Sequence, residues 1–143
     1  ASLHEKTDSN TDYKRLTGIA GIGKVLALTI LYEVGEIARF QSARHFCSYC
    51  RVVPGVAQSG AVSRRGRGSK QGNAYLKWAF LQAAVAAVRF YPKIRRCFER
   101  HMARHRGSGA KIVAYNVIAH KLAQAVYYVL RDSVEYQEER LFG

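Results

Sequence analysis

The sequence predicts an all-α fold: a compact helical domain with a helix-hairpin-helix-like element and a long basic loop. Three observations predict it. Apolar residues recur at helical spacing, no segment alternates convincingly with period two, and Gly35, Asn73 and Pro92 stand where helices stop and start. With 143 residues, 48% of them hydrophobic, the chain is long enough for one domain with a real core. Residues 1–15 open polar and are expected to be an extension, the end of a preceding linker or helix. Residues 16–132 form the expected domain, and 133–143 a polar tail that frays. There is no internal repeat.

Along the chain, Gly18-Ile-Ala-Gly-Ile-Gly23 breaks the backbone, and residues 24–34 follow with Val25, Leu28 and Leu31, along with Ile30 and Val34, at helical spacing. Gly35 supplies the stop. Residues 41–50 form a second short helix with Ala43, Phe46, Cys47 and Cys50 on one side. Residues 54–72 then hold five Gly, four basic residues and three Ser, which predicts a long, exposed, flexible loop of the functional kind. Asn73 is placed to cap a helix reaching Phe90, with Leu76, Ala79, Phe80, Ala83, Ala84 and Ala87 inward. Pro92 opens the next helix at its first turn, to about Arg106. After Gly107-Ser-Gly109 comes the longest helix, 110–130, with Val113, Val117, Ala119, Leu122, Val126 and Leu130 as its inner stripe.

Charge narrows the function. Lys and Arg number 23 against 10 Asp and Glu, a formal charge of +13. Between Ile37 and Arg131 there are 18 basic residues and one carboxylate, Glu99. Such a block cannot neutralise itself and calls for a polyanion. Fifteen of the basic residues are Arg, suited to bidentate phosphate contacts. A solvated cationic surface is the bland alternative. An anionic membrane fits less well, because no stretch pairs a basic face with a strongly apolar one. The longest apolar run, Trp78–Val88, is too short to cross a bilayer. Three cysteines and no signal-peptide pattern fit a cytoplasmic protein. The start at Ala1, without an initiator Met, points to a piece of a longer protein.

Gly18-Ile-Ala-Gly-Ile-Gly23-Lys24 has the spacing of a phosphate-binding P-loop. However, Val25 replaces the magnesium-binding Ser or Thr, and no buried strand precedes the glycines. A helix-hairpin-helix reads better: Gly21 and Gly23 make tight turns, Ile19 and Ile22 anchor the hairpin, and Lys24 starts a helix whose outward amides can bind a DNA phosphate. A plain helical turn stays open. Cys47-x2-Cys50 and His101-x3-His105 contain zinc ligand types, but about fifty residues separate them. Cys97, His101 and His105 share a helical face crowded with arginines that oppose a cation, so no metal site is expected here.

The loop is where chemistry would sit. Ser59, Ser63 and Ser69 lie among Arg64, Arg65, Arg67 and Lys70, and Gly60 leaves Ser59 sterically open. Arginines beside a hydroxyl suit phosphoryl transfer, since they neutralise the phosphate oxygens and the charge of the transition state. The alternative is a passive loop that grips nucleic acid. The basic block lacks a close carboxylate pair, so it cannot form a two-metal nuclease site alone.

Ile19-Ala-Gly-Ile-Gly23, Gly35-Glu-Ile-Ala-Arg-Phe40, Val53-Pro-Gly55, Gln58-Ser-Gly60, Gly68-Ser-Lys-Gln-Gly-Asn73 and Lys111-Ile-Val-Ala114 with Lys121-Leu122 occur in that order. Together they resemble the C-terminal transposase domain of the insertion-sequence family whose N-terminal half is a Holliday-junction-resolvase-like domain with four acidic residues. The resemblance covers roughly Leu16 to Arg131. It implies a recombinase that moves a mobile element, guided by a structured RNA and working as an assembly of several protomers. In that family a serine of this domain forms a phosphoserine with DNA, and Ser59 matches it. Lys70 and Asn73 become candidate phosphate or active-site contacts, and Lys77 a candidate contact where Arg is more usual. Ala20 for Pro and Arg51-Val-Val53 for Gly-Leu-Val are further departures. The family's divalent metal, magnesium, belongs to the acidic domain, which this chain lacks. The resemblance therefore implies a chain that binds nucleic acid and cuts nothing by itself. Two other readings remain. One is a non-catalytic helix-hairpin-helix module; the other is a tyrosine recombinase, which the nine Tyr allow but no catalytic spacing supports.

Overall fold

In the computed structural model, which describes residues 2–53, 72–105 and 107–142, every regular element is helical. Helix α1 spans Ser2–Thr17, α2 Lys24–Val34, α3 Ala43–Tyr49, α4 Ala74–Phe90, α5 Pro92–Arg104, α6 Ala110–Asp132 and α7 Glu138–Phe142. A 3-10 turn at Ile37–Arg39 follows α2. The all-α expectation holds.

The boundaries follow local chemistry. Asn73 Oδ1 accepts the Leu76 N–H at 2.9 Å and caps α4. Pro92, at the start of α5, gives up an amide that would have had no helical partner. Ser42 caps α3 by accepting the His45 N–H at 3.2 Å. Gly35, at φ +66°, ends α2 and donates to the Leu31 carbonyl.

Helix α6 is central, touching α1, α3, α4, α5 and the 3-10 turn, while α2 packs on α1 and α4. Ala79, Ala83, Ala84 and Ala87 are fully buried on α4, and these small side chains let its neighbours approach closely. Larger side chains fill the centre. The Phe46 ring lies 6.3 Å from Phe80 and 5.9 Å from Tyr127, and Phe40 meets its edge at 5.1 Å. Such ring pairs contribute about 0.5–1.5 kcal/mol each beyond their burial. Among the described residues, no helix is long and apolar enough to cross a membrane.

Four expectations need correction. The inward face of α2 is Ala27, Ile30 and Val34, whereas Val25 and Leu28 are 69% and 58% exposed. Apolar residues surround this helix on nearly every side, so periodicity alone could not orient it. In α6 the buried face runs through Ala114, Ile118, Leu122 and Val126, with Val113 and Val117 only half-buried. The tail does not fray through its length: residues 138–142 form α7, Phe142 is buried, and Lys121 Nζ donates to the Leu141 carbonyl at 3.2 Å. At the other end, the boundary expected at residue 15 falls within α1, whose Leu16 is fully buried.

Candidate nucleic-acid interface

The residues that flank 54–71 meet at one stem. After α3 the chain turns at Arg51, which sits at φ +60°. The Arg51 N–H donates to the Ser48 carbonyl at 3.0 Å, and the Val52 N–H to the Cys47 carbonyl at 3.2 Å. This is the Schellman way of ending a helix, with Arg in the place usually held by Gly. The buried Val52 side chain anchors the exit. On the other flank, the Asn73 N–H donates to the Tyr49 carbonyl at 2.7 Å, which joins the two sides of the stem. Gly72 passes so near that an added Cβ would stand 2.0 Å from Arg51 Cγ and 3.0 Å from the Tyr49 carbonyl oxygen.

Asn73 is the cross-brace of this stem. Its Oδ1 caps α4, while Nδ2 donates to Glu33 Oε1 at 2.8 Å and to the Tyr49 hydroxyl at 3.4 Å. One side chain thus ties α2, α3 and α4 together. Arg39 completes the cluster. Its guanidinium lies 4.8 Å from the Tyr49 ring centre and 4.5 Å from that of Phe40, and its Nε donates to the Val34 carbonyl at 2.9 Å. Hydrogen bonds from Arg39 and then Asn73 hold the Tyr49 hydroxyl below the usual phenol range. Sequence reasoning does not single out Glu33 or Tyr49. Glu33 pairs with Asn73 across forty residues, and no local pattern signals that contact.

The structure separates the other candidates. Lys77 lies one turn into α4 from Asn73, at the stem. Gly21 instead faces the far half of α4, where an added Cβ would stand 2.1 Å from the Ala83 carbonyl oxygen and 3.1 Å from the Ala87 nitrogen. Ala83 and Ala87 are ten to fourteen residues beyond Asn73, roughly 15–21 Å along the helix. The turn with Gly21, Gly23 and Lys24 and the loop stem therefore sit toward opposite ends of α4. Ile19 and Ile22 are buried, as expected of hairpin anchors, and Lys24 is exposed. Gly23 caps α2 in extended conformation with no side-chain bond to the first turn. Ser59, Arg64, Arg65, Arg67 and Lys70, and the flexibility expected of their loop, lie outside the described residues.

Cys47 and Cys50 are fully buried, as small core residues should be. Burial pushes both thiols up, that of Cys47 to about 12. Among the described residues, no three His, Cys, Asp or Glu side chains converge to hold a metal ion.

Comparison with known proteins shows what the chain is similar to. The profile described as the Transposase IS116/IS110/IS902 family matches residues 13–99. The uncharacterized 43.6 kDa protein of insertion element IS110 from Streptomyces coelicolor is 27% identical over 128 residues, 90% of this chain and 31% of that protein. A probable family 20 transposase of Pseudomonas aeruginosa is 32% identical over 76 residues, 53% of this chain and 22% of its own length. A pilin gene-inverting protein of Moraxella bovis is 29% identical over 120 residues, 82% of this chain and 36% of its own. The chain thus spans between about a fifth and just over a third of these relatives.

Proposed function

The chain belongs to the IS116/IS110/IS902 transposase family, and from that premise we propose that it is the DNA-binding, nucleophile-bearing part of a recombinase that moves an insertion sequence. Ser59 is the nucleophile. Its Oγ attacks a DNA phosphorus, a new P–O bond forms to serine, and the bond to one deoxyribose oxygen breaks. The serine proton is transferred to a base, and the departing sugar oxygen ends as a hydroxyl. One phosphodiester replaces another, so the strand can be resealed by the reverse transfer without an energy-rich cofactor. Arg64, Arg65, Arg67 and Lys70 neutralise the phosphate, and Lys77 extends that charge onto α4.

The observation that carries this reading is the stem. A hydrogen bond joins the two flanks of the Ser59 segment, and Asn73 fixes the stem to three helices. A loop meant only to attract polyanions would need no such footing. In the same proposal, a metal-binding acidic domain supplies the other half of a composite site, a guide RNA selects the DNA, and several protomers assemble.

A second reading, a non-catalytic helix-hairpin-helix module, is favoured by the exposed Gly23–Lys24 helix start. One experiment decides between them. The full-length protein is given its RNA and nicked DNA, and DNA-linked peptides are sought by denaturing gel and mass spectrometry. An adduct on Ser59 that vanishes in Ser59→Ala establishes the serine mechanism. Salt-sensitive binding with no adduct establishes the module.

A further inference from the structure

Helix α5 presents an arginine row with no structural duty in the described fold. The helix buries Ile94 and Cys97 and half-covers Phe98, His101 and Met102. Arg95, Arg96, Glu99, Arg100, Ala103 and Arg104 face solvent, and Lys93 lies at their margin. Arg95 is employed: its guanidinium donates to the Val88 and Arg89 carbonyls and closes the end of α4. Arg96, Arg100 and Arg104 make no comparable bond. Among the described residues the ion pairs are those of Arg15 and Arg131.

The three arginines recur every four residues, which advances them by roughly 6 Å per step along one flank. Like charges at that spacing destabilise a helix. A row whose members repel one another and pair with no described carboxylate has the form of a surface awaiting an extended anion. His101, half-covered on the same helix, registers this field. Burial, then Arg104, Lys121, Arg100 and His105, hold its imidazole below the usual range.

We propose that Arg96, Arg100 and Arg104 form a second nucleic-acid surface, which holds the phosphate backbone of duplex DNA without reading its sequence. This rests on the reading of the chain as a DNA-binding domain and assigns a site apart from the Ser59 loop. A duplex backbone fits better than the alternatives. The row carries no exposed aromatic on which unpaired bases could stack. It also has no apolar flank to enter a lipid surface, Ala103 being the one exposed apolar residue within the row. Guanidinium contacts to phosphate alone give affinity and strong salt dependence but no sequence preference.

The test is fluorescence anisotropy of the chain with a labelled random-sequence DNA duplex, titrated through KCl. Arg96→Gln, Arg100→Gln and Arg104→Gln combined should flatten the log–log salt slope by about two to three, near 0.9 for each phosphate no longer neutralised. The matching Arg→Lys triple should keep the slope. Arg100→Gln alone should remove about one, which keeps the test decisive should the Gln triple misfold by circular dichroism. An unchanged slope in the Gln variants, beside a flattened one in Arg64→Gln, Arg65→Gln and Arg67→Gln, overturns the α5 site and leaves the loop reading intact. Loss of affinity for a structured RNA but not for the duplex overturns the DNA assignment. Failure of the unaltered chain to bind any duplex overturns both readings.

Discussion

Replacing Gly21 with Ala tests the close approach of the α1–α2 turn to α4. Gly21 sits at φ +83°, a left-handed conformation that costs a side-chain-bearing residue about 1–2 kcal/mol. The new methyl would also stand 2.1 Å from the Ala83 carbonyl oxygen, on helical backbone that cannot turn aside. The α1–α2 turn must then lift from α4, and overpacking of this kind costs about 1–3 kcal/mol. Together the two effects amount to about 2–5 kcal/mol. At about 4 °C per kcal/mol for a chain of this size, melting should fall by about 8–20 °C. Thermal melts by far-ultraviolet circular dichroism measure it. Gly23→Ser is the internal control. Gly23 has φ −93° and nothing within 4 Å of an added Cβ, and a serine there could accept a bond from the first turn of α2. It should melt unchanged or slightly higher. A Gly21→Ala protein within about 3 °C of the parent would refute the argument from contact and strain. Equal losses in both variants would remove the distinction between the two glycines.

Other expectations can be checked on the same purified chain. Asn73→Ala removes the α4 cap and strips Glu33 of its partner, for a loss of about 1–2 kcal/mol in urea unfolding. Asn73→Asp keeps the cap but sets a second carboxylate against Glu33, so its deficit should shrink on acidification; a pH-independent deficit would argue against the Glu33 contact. Arg51→Gly relieves a left-handed residue and should stabilise by up to about 1 kcal/mol, and a loss in its place would show that the packing of the Arg51 side chain against Gly72 outweighs the strain. His120 is held below its ordinary value by burial and then by Lys121, and His101 is lowered as well. Both histidines are therefore neutral in the fold where they would be protonated in the unfolded chain. Their stabilising effect is full above the ordinary imidazole value of 6.5 and declines as pH falls from there through the lowered folded values. Melting temperature should drop over that window, and His101→Gln with His120→Gln should make the drop shallower; an identical slope in the double variant would exclude them as its source.

Helices α4, α5 and α6 are legible in the sequence because local chemistry marks their starts and stops: Asn73 ahead of a long apolar period, Pro92 on a first turn, and glycines before Ala110. The orientation of α2 is not legible, because Val25 and Leu28 look as core-like as Ile30 and only tertiary packing chooses between faces. The tail misleads in the opposite sense. Its charges suggest solvent, yet Phe142 finds the core and Lys121 holds the Leu141 carbonyl. For the site, the glycine-lysine turn and the serine-arginine loop stand out in the sequence as neighbouring candidates. The turn and the stem at Tyr49 and Asn73 lie toward opposite ends of α4 because α2 packs against it, which no motif records. Asn73 reads from sequence as a cap and as a candidate contact. That both ends of its amide are engaged inside the chain emerges only when Glu33 and Tyr49 are seen in space.

The bond between the Asn73 amide and the Tyr49 carbonyl has a consequence for how such a chain can vary. It closes a circuit between the two flanks of the eighteen residues from 54 to 71. Loop-closure entropy changes by only about 0.6 kcal/mol for each doubling or halving of length. Insertions, deletions or a wholesale exchange of that segment are therefore nearly neutral for the helices beneath. Mutation can search residues 54–71 at almost no risk to the fold, so long as Tyr49, Arg51, Gly72 and Asn73 keep the circuit closed.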